Sequence, residues 1–243
     1  DQPNSYSKKD PSDVYQSITL LADQYLSAWK AIEDLKLVRQ YKEIKNICFS
    51  GMGGSGLSGR IVRSLSPYLL SLPLEVSTNY RLPASVDKNT LVIIASYSGN
   101  TEETISALKD ALNRQAQIFI FAVGGELIKL AEDYELNYYK IDPQFNPCGA
   151  PRLGLGYSVG ATLSVLVKLK LSPSQIIDND LIVQTIRSTV ENLNKDVEIK
   201  HNPAKLMATQ NKGKAVFLIS ANHLDGVAHA SKNLINETAK TFA

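Results

Sequence analysis

Two short loops combine glycine or hydroxyl residues and directly follow runs typical of buried β-strands. The first is the glycine-rich segment 51–56, after the run 46–50. The second is the segment 96–104, SYSGNTEET, after the apolar run 91–95. A strand that turns into a helix points free backbone N–H groups and the positive end of the helix dipole at one place, where phosphate is stabilised. Two such loops predict a site for a phosphorylated small molecule.

The glycine-rich loop admits three interpretations. The spacing within 51–56 satisfies G-x-G-x-x-G, which is typical of dinucleotide-binding loops. Those sites also need an acidic residue at the tip of the next strand to hold the ribose, and the run 74–78 has none there. A tight turn without a ligand is the second interpretation. The pattern favours the third, a close approach of Gly53, Gly54 and Ser55 to a sugar or phosphate.

The second loop carries three hydroxyl residues at one strand-to-helix turn, namely Ser96, Ser98 and Thr101. Each hydroxyl can donate a hydrogen bond to a phosphate oxygen. The alternative is that Thr101 caps the following helix while the serines are turn residues. Capping needs only one hydroxyl, so the three together favour phosphate binding.

The elements that must position these loops alternate between strands and helices. Strand-like runs occur at 46–50, 74–78, 90–96, 117–123 and 136–141. Helical patterns occur at 57–70, 102–115 and 126–134, and an amphipathic helix is predicted at 13–37. This alternation predicts an α/β fold in which helices cover both faces of a parallel sheet.

After this unit the pattern changes and then begins again. Segment 143–156 is predicted to be an ordered loop, followed by helices at 157–169 and 178–197. A strand at 215–219 and a helix at 223–241 then resemble the opening of a second α/β domain. Because the chain starts without Met and stops within this last helix, it is expected to be a fragment of a longer protein.

Composition limits the function classes. The chain has 243 residues, 44% of them hydrophobic, and a formal net charge of +2, which gives no indication of nucleic-acid binding. The longest apolar runs are strand-length and no signal peptide is visible, so no membrane association is expected. The two cysteines, Cys48 and Cys148, predict no disulfide and a cytoplasmic location. No His/Cys cluster has metal-ligand spacing, so no metal is expected.

Five segments in order resemble one known family: GMGGS at 51–55, YRLP at 80–83, SYSGNTEET at 96–104, PRLGLGYS at 151–158 and NETAK at 236–240. Together they resemble the bifunctional phosphoglucose/phosphomannose isomerases, which are built from two sugar isomerase (SIS) domains. The resemblance implies flavodoxin-like doubly wound sheets, a homodimer, no cofactor, and interconversion of glucose 6-phosphate or mannose 6-phosphate with fructose 6-phosphate.

The resemblance also implies a domain division. It predicts an N-terminal helical segment at 1–40, a first SIS domain at 41–171, a helical linker at 172–203 and the incomplete start of a second SIS domain at 204–243.

Site residues follow from the matched motifs. The resemblance implies that Gly53, Gly54 and Ser55 meet the sugar and that Ser96, Ser98 and Thr101 hold its phosphate. It further implies that Arg152 lies beside the reacting carbons and that Glu237 is the catalytic base.

Each catalytic assignment has an ordinary alternative. Arg152 could be a surface loop residue and Glu237 a solvated helix residue. However, Glu237 continues a mostly apolar helix face, so we expect its carboxylate to be withdrawn from water, as suits a general base. The other residues of that face are His223, Val227, Ala230 and Leu234.

The chain departs from the family pattern near Glu237. Thr238 replaces the second Asn of the family's Asn-Glu-Asn-Ala-Lys motif, and residues 230–232 replace an Arg-aromatic-Lys run. The family's ring-opening histidine follows the glutamate, which would place it beyond Ala243; all three histidines of this chain precede Glu237. We therefore expect these residues alone to have little isomerase activity.

A regulatory module that binds a sugar phosphate without catalysis is the alternative function. Such modules usually carry a DNA-binding domain, and the first forty residues show no helix-turn-helix pattern. They would also have no reason to keep both Arg152 and Glu237, so the isomerase is favoured.

Overall fold

A five-stranded parallel sheet forms the centre of the molecule in the computed structural model, which describes residues 6–243. Residues 1–5 of the predicted segment 1–40 lie outside the described residues. The strands are β1 (Asn46–Gly51), β2 (Leu74–Ser77), β3 (Thr90–Ala95), β4 (Gln117–Ala122) and β5 (Asn137–Lys140). Their order is β2-β1-β3-β4-β5, which is the flavodoxin-like order. The predicted fold class is confirmed.

Ten helices accompany this sheet in residues 6–243. They are α1 (Tyr6–Lys9), α2 (Val14–Thr19), α3 (Leu21–Glu33), α4 (Leu57–Leu69), α5 (Glu102–Asn113), α6 (Gly125–Asp133), α7 (Leu155–Lys168), α8 (Asn179–Asn192), α9 (Pro203–Gln210) and α10 (Asp225–Leu234). Within these residues, no helix has both the length and the apolar character needed to cross a bilayer.

Helices cover both faces of the sheet, as predicted. Alternate residues of a strand point to opposite faces, so β3 sends Ile93 to one core and Val92 and Ile94 to the other. The first core includes residues of α3, α4 and α7, and the second includes residues of α5 and α6. Because both faces are buried, every residue of β3 is buried and its sequence is a nearly continuous apolar run.

The register of the central strands positions the two predicted loops. Gly51, the last residue of β1, lies opposite Ala95, the last residue of β3. Segments 52–56 and 96–101 therefore leave the same edge of the sheet side by side. This is the point where the strand order reverses, which is the usual ligand crevice of open parallel sheets.

The helix predicted at 13–37 is two helices, with Leu20 between α2 and α3. At the end of α2, the Thr19 hydroxyl donates to the Gln16 carbonyl oxygen at 2.8 Å. Such local bonding competes with regular helix geometry. Helix α8 also ends earlier than predicted, at Asn192, and α9 occupies a region where no helix was predicted.

The strand predicted at 215–219 is wrong. These residues have no regular structure, and Phe217 and Ile219 are 79% and 96% exposed. A strand requires a neighbour to pair with, and no strand in the described part of the chain lies beside this segment. The helix predicted at 223–241 is also shorter, because α10 ends at Leu234 and continues as a π-helical turn, Ile235–Ala239.

Candidate active site

The glycine-rich loop forms a 3₁₀ turn, Gly53–Gly56, directly after β1. Gly53 has φ +50°, a left-handed conformation that glycine adopts without steric cost. A Cβ atom on Gly54 would lie 2.6 Å from the backbone N of Arg152 and 2.8 Å from its Cα. The absence of a side chain at Gly54 therefore lets the loop contact the backbone that carries Arg152.

Ser55 links the two loops. Its side chain is buried, and its hydroxyl oxygen accepts a hydrogen bond from the backbone N–H of Tyr97 at 2.9 Å. The sequence motif predicted only that Ser55 meets the sugar, which stays a prediction. In the structure the Ser55 hydroxyl fixes the spacing between segments 53–56 and 96–101.

The three predicted phosphate-binding hydroxyls lie on one turn. The Ser96 and Thr101 hydroxyl oxygens are 2.9 Å apart, and Ser96 also accepts from the N–H of Gly99 at 3.1 Å. Ser98, which is exposed, accepts from the N–H of Asn100 at 3.2 Å. The turn is therefore closed by its own side chains.

The start of α5 keeps its first backbone donors available. Thr101 is the N-cap residue, but its side chain makes no capping hydrogen bond. The N–H of Ile105 bonds to the Thr101 carbonyl oxygen at 3.1 Å, so the amides of 102–104 precede the first helical bonds. The side chain of Thr101 therefore does not cap the helix, whereas Ser96 and Ser98 do act as turn residues. The helix N-terminus together with the hydroxyls has the chemistry of an anion site.

Gly99 fixes this turn against the adjoining loop. It has φ +75°, and a Cβ atom there would lie 1.8 Å from the Gly124 carbonyl oxygen. The neighbouring Asn100 side chain accepts from the N–H of Glu126 at 2.9 Å. The turn is therefore held from two sides, by β3 and by the start of α6.

Arg152 and Glu237 are brought together by the tertiary structure. Arg152 lies in a 3₁₀ turn, Pro151–Leu153, and Glu237 lies in the π-helical turn after α10. One guanidinium nitrogen of Arg152 is 3.5 Å from a carboxylate oxygen of Glu237. The Arg152 Nε–H donates to the Thr238 hydroxyl at 3.2 Å. Thr238, the departure from the family motif, therefore orients Arg152.

The expectation that Glu237 is withdrawn from water is wrong. Its side chain is 47% exposed, whereas that of Arg152 is 21% exposed. In α10 only Gly226 and Ala230 are buried, and Glu237 lies beyond them in the following turn. The apolar face of the helix therefore stops short of the carboxylate, which pairs with Arg152.

Two polar residues that sequence reasoning missed support the loop carrying Arg152. Gln24 in α3 is fully buried, and its amide nitrogen lies 2.9 Å from the carbonyl oxygens of Phe145 and Leu153. Its amide oxygen accepts from the N–H of Gly156 at 3.1 Å. The only sequence indication was a glutamine within the helical pattern of α3.

The second missed contact joins Tyr97 to the same loop. The Asn146 side-chain amide donates to the Tyr97 hydroxyl at 2.8 Å, and burial raises the pKa of that hydroxyl. A Cβ atom on Gly154 would lie 2.7 Å from the Tyr97 ring. Tyr97 therefore connects the hydroxyl-rich turn to residues on both sides of Arg152, namely Asn146 and Gly154.

Known proteins share this architecture. The tagatose-6-phosphate ketose/aldose isomerase from Escherichia coli superposes with a TM-score of 0.58, covering 100% of this chain and 68% of that one. At 17% identity this likeness shows the fold alone. The SIS domain family matches residues 40–142, the region of the sheet and the two loops.

Sequence relatives are more specific. The bifunctional phosphoglucose/phosphomannose isomerase of Caldicellulosiruptor bescii is 31% identical over 233 residues, covering 95% of this chain and 67% of that protein. The protein of the same name from Aquifex aeolicus is 30% identical over 200 residues, covering 82% of this chain and 57% of its own length. The chain thus spans between about half and two thirds of these relatives. With this identity, and with an SIS fold that carries the matched loops at one edge of its sheet, the chain belongs to the bifunctional phosphoglucose/phosphomannose isomerase family.

Proposed function

We propose that the protein interconverts glucose 6-phosphate and mannose 6-phosphate with fructose 6-phosphate. The observation that carries this proposal is the contact between Arg152 and Glu237, 3.5 Å apart. The pair adjoins the glycine-rich loop, since Gly54 lies against the Arg152 backbone. A cation and a carboxylate next to an anion-binding turn are the groups that an aldose–ketose isomerase needs.

In this proposal the phosphate of the sugar lies at the N-terminus of α5. Ser96, Ser98 and Thr101 donate hydrogen bonds to its oxygens, together with the first amides of the helix. Gly53, where a Cβ atom would meet nothing within 4 Å, leaves open space beside the loop for the sugar chain, and Gly54 lets the loop pack against Arg152. Holding the phosphate in this way orients the reacting carbons, and such positioning is a large part of catalysis.

The reaction is a proton transfer within the open-chain sugar. The Glu237 carboxylate removes the proton from C2 of the aldose, and the C–H electron pair forms the enediolate double bond while negative charge develops on the C1 oxygen. The Arg152 guanidinium stabilises that charge. The C1 oxygen takes a proton from solvent and the C2 hydroxyl gives one up to solvent, which moves the negative charge to the C2 oxygen. The protonated Glu237 then gives its proton to C1, and the electron pair of the C2 oxygen forms the ketose carbonyl.

Proton exchange tests this step separately from ring opening, because fructose 6-phosphate has an open-chain fraction in solution. We expect deuterium from D₂O to enter C1 of fructose 6-phosphate, as followed by NMR. Glu237→Gln should slow this exchange by roughly two to four decades, the range for a positioned acid/base group. Glu191→Gln, an exposed carboxylate on α8, is the matched control and should not change it.

A non-catalytic sugar-phosphate module gives a different result in the same experiment. Such a protein would bind fructose 6-phosphate, as measured by calorimetry, without any deuterium entering C1. Exchange that continues unchanged in Glu237→Gln would instead remove Glu237 from the role of base.

The domain division remains a proposal that accompanies this function: a helical segment at 1–40, a first SIS domain at 41–171, a linker at 172–203 and the start of a second SIS domain at 204–243. The position of α7 in the first core supports the end of the first SIS domain at 171, whereas α3, from the segment 1–40, packs in the same core. Limited proteolysis should therefore cut within 193–220 before it cuts within 41–171.

The family resemblance also supports a homodimer in the cytoplasm. Both cysteines are free, and burial raises the pKa of the Cys48 thiol to about 12, which keeps it protonated and unreactive. Sedimentation velocity should show a species of twice the chain mass, and a single monomeric species would contradict the dimer.

A further inference from the structure

A cavity of about 480 Å³ lies between helix α4 and the beginning of α10. Helix α4 contributes Arg60, Arg63 and Tyr68 to its walls, and the segment around α10 contributes His223 and His229. This volume is within the range of small-molecule sites. None of its lining residues belongs to the two loops or to the Arg152–Glu237 pair.

Close contact between the two helices forms the cavity. A Cβ atom on Gly226 would lie 2.4 Å from the Arg60 carbonyl oxygen and 2.5 Å from the Ile61 Cα. The N–H of Gly226 also donates to the Ser64 hydroxyl at 3.1 Å. Glycine at this position lets the backbones touch, and this contact brings Arg60 and His229 to the same cavity.

The walls carry uncompensated positive charge. Among residues 6–243, the Arg60 and Arg63 guanidinium groups have no hydrogen-bond or ion-pair partner. The lining carboxylate, Asp225, already accepts a hydrogen bond from the Ser220 hydroxyl at 3.0 Å. Burial lowers the pKa of His229, and Arg60 and Lys232 lower it further. Two guanidinium groups against the one carboxylate of Asp225 therefore leave the lining with an excess of positive charge.

We propose that this cavity binds the phosphate group of a small molecule, at a site separate from the sugar site. Two guanidinium groups match phosphate oxygens in charge and in their paired donor geometry. The rings of His223 and His229 and the amide of Asn222 add donors along the same wall. A bound phosphate opposes the field of Arg60 and Lys232, so it favours protonation of His229.

The three histidines of the chain provide the test, because ¹H NMR reports each imidazole separately. Inorganic phosphate is titrated at constant ionic strength, with chloride as the balancing anion, between about pH 5 and pH 8, the range in which histidine titrates. We expect saturable shifts of the His223 and His229 resonances and a rise in the pKa of His229. His201, which does not line the cavity, should not respond.

Two double variants distinguish phosphate binding in this cavity from a general effect of positive surface charge. Arg60→Gln/Arg63→Gln should weaken the phosphate response by about tenfold or more, as expected when charged hydrogen bonds are lost. Lys109→Gln/Lys212→Gln removes the same charge from exposed positions elsewhere and should leave the response unchanged. If the double arginine variant does not fold, Arg63→Gln, at an exposed position, replaces it.

Two further experiments identify the site and the ligand that give the NMR response of His223 and His229. This response should persist in Thr101→Val, since Thr101 belongs to the proposed sugar site. A tighter response to glycerol 3-phosphate than to inorganic phosphate identifies a phosphate ester as the ligand, whereas equal responses identify free phosphate. The proposal is overturned if His223 and His229 do not shift saturably, if Arg60→Gln/Arg63→Gln responds like the parent protein, or if Thr101→Val abolishes the response.

Discussion

The phosphate side and the reacting side of the candidate site are held in different ways. On the phosphate side, segments 51–56 and 96–104 leave paired strands whose last residues, Gly51 and Ala95, lie opposite each other. On the reacting side, Glu237 meets Arg152 through one contact at 3.5 Å. The sheet backbone determines the first arrangement, whereas the second depends on a side-chain contact in which Glu237 is half exposed.

The difference indicates how binding and chemistry are divided. A phosphate site gains from being formed in advance, since it then holds the sugar without a rearrangement. In the proposed reaction the base moves a proton between two carbons, and Glu237, to which that role is assigned, lies in a turn beyond the end of α10. We therefore expect changes near Gly99 to affect folding and changes near Thr238 to affect mainly the reaction.

The largest expected effect comes from two glycines with the same backbone conformation, one in the turn 96–101 of the phosphate side and one in an exposed turn after α9. Gly99 and Gly213 have φ +75° and +74°, but a Cβ atom would meet the Gly124 oxygen at 1.8 Å in the first case and nothing within 4 Å in the second. Gly99→Ala should cost about 3 kcal/mol of unfolding free energy, and Gly213→Ala about 1 kcal/mol or less.

Urea denaturation followed by circular dichroism measures both variants. Their difference isolates the steric contact, because the strain of a positive φ is common to the two positions. Similar losses in the two variants would show that the turn 96–101 is no more constrained than an exposed surface turn, which would remove the phosphate side's half of the comparison.

An intermediate effect is expected from removing one donor of the phosphate turn. Thr101→Val preserves the side-chain shape but deletes the hydroxyl that lies 2.9 Å from that of Ser96. Affinity for fructose 6-phosphate should fall by roughly 1.5–3 kcal/mol, the value of a hydrogen bond to a charged group. Calorimetry measures this, with Thr185→Val on exposed α8 as the control. An unchanged affinity would contradict the phosphate assignment.

The smallest effect should come from Thr238→Val, which removes the hydroxyl that accepts from Arg152 Nε at 3.2 Å. Because this contact is exposed, its loss should slow C1 proton exchange by only about fivefold, corresponding to about 1 kcal/mol. Thr241→Val, in the same C-terminal region, is the control. Weaker binding of fructose 6-phosphate with an unchanged exchange rate would show that Thr238 serves binding rather than the reaction.

The local sequence predicted the sheet and both loops because their determinants are local. Strands buried on both faces are apolar throughout, as in β3, and the loops follow them directly. The predicted strand at 215–219 had the same apolar pattern, yet Phe217 and Ile219 are exposed and no strand pairs with them within the described residues. An apolar run becomes a strand only when a neighbour satisfies its backbone.

What the sequence determined by itself was the local make-up of the candidate site: the glycines of 53–54, the hydroxyls of the 96–101 turn, and the motifs that carry Arg152 and Glu237. Only the tertiary structure decided that Ser55 bonds to Tyr97, that Gln24 holds the Arg152 loop, and that Glu237 remains half exposed beside its arginine. The physical reason is the range of the interactions. Strand runs and turns depend on near neighbours, whereas these contacts join distant parts of the chain and exist only once the helices have packed on the sheet.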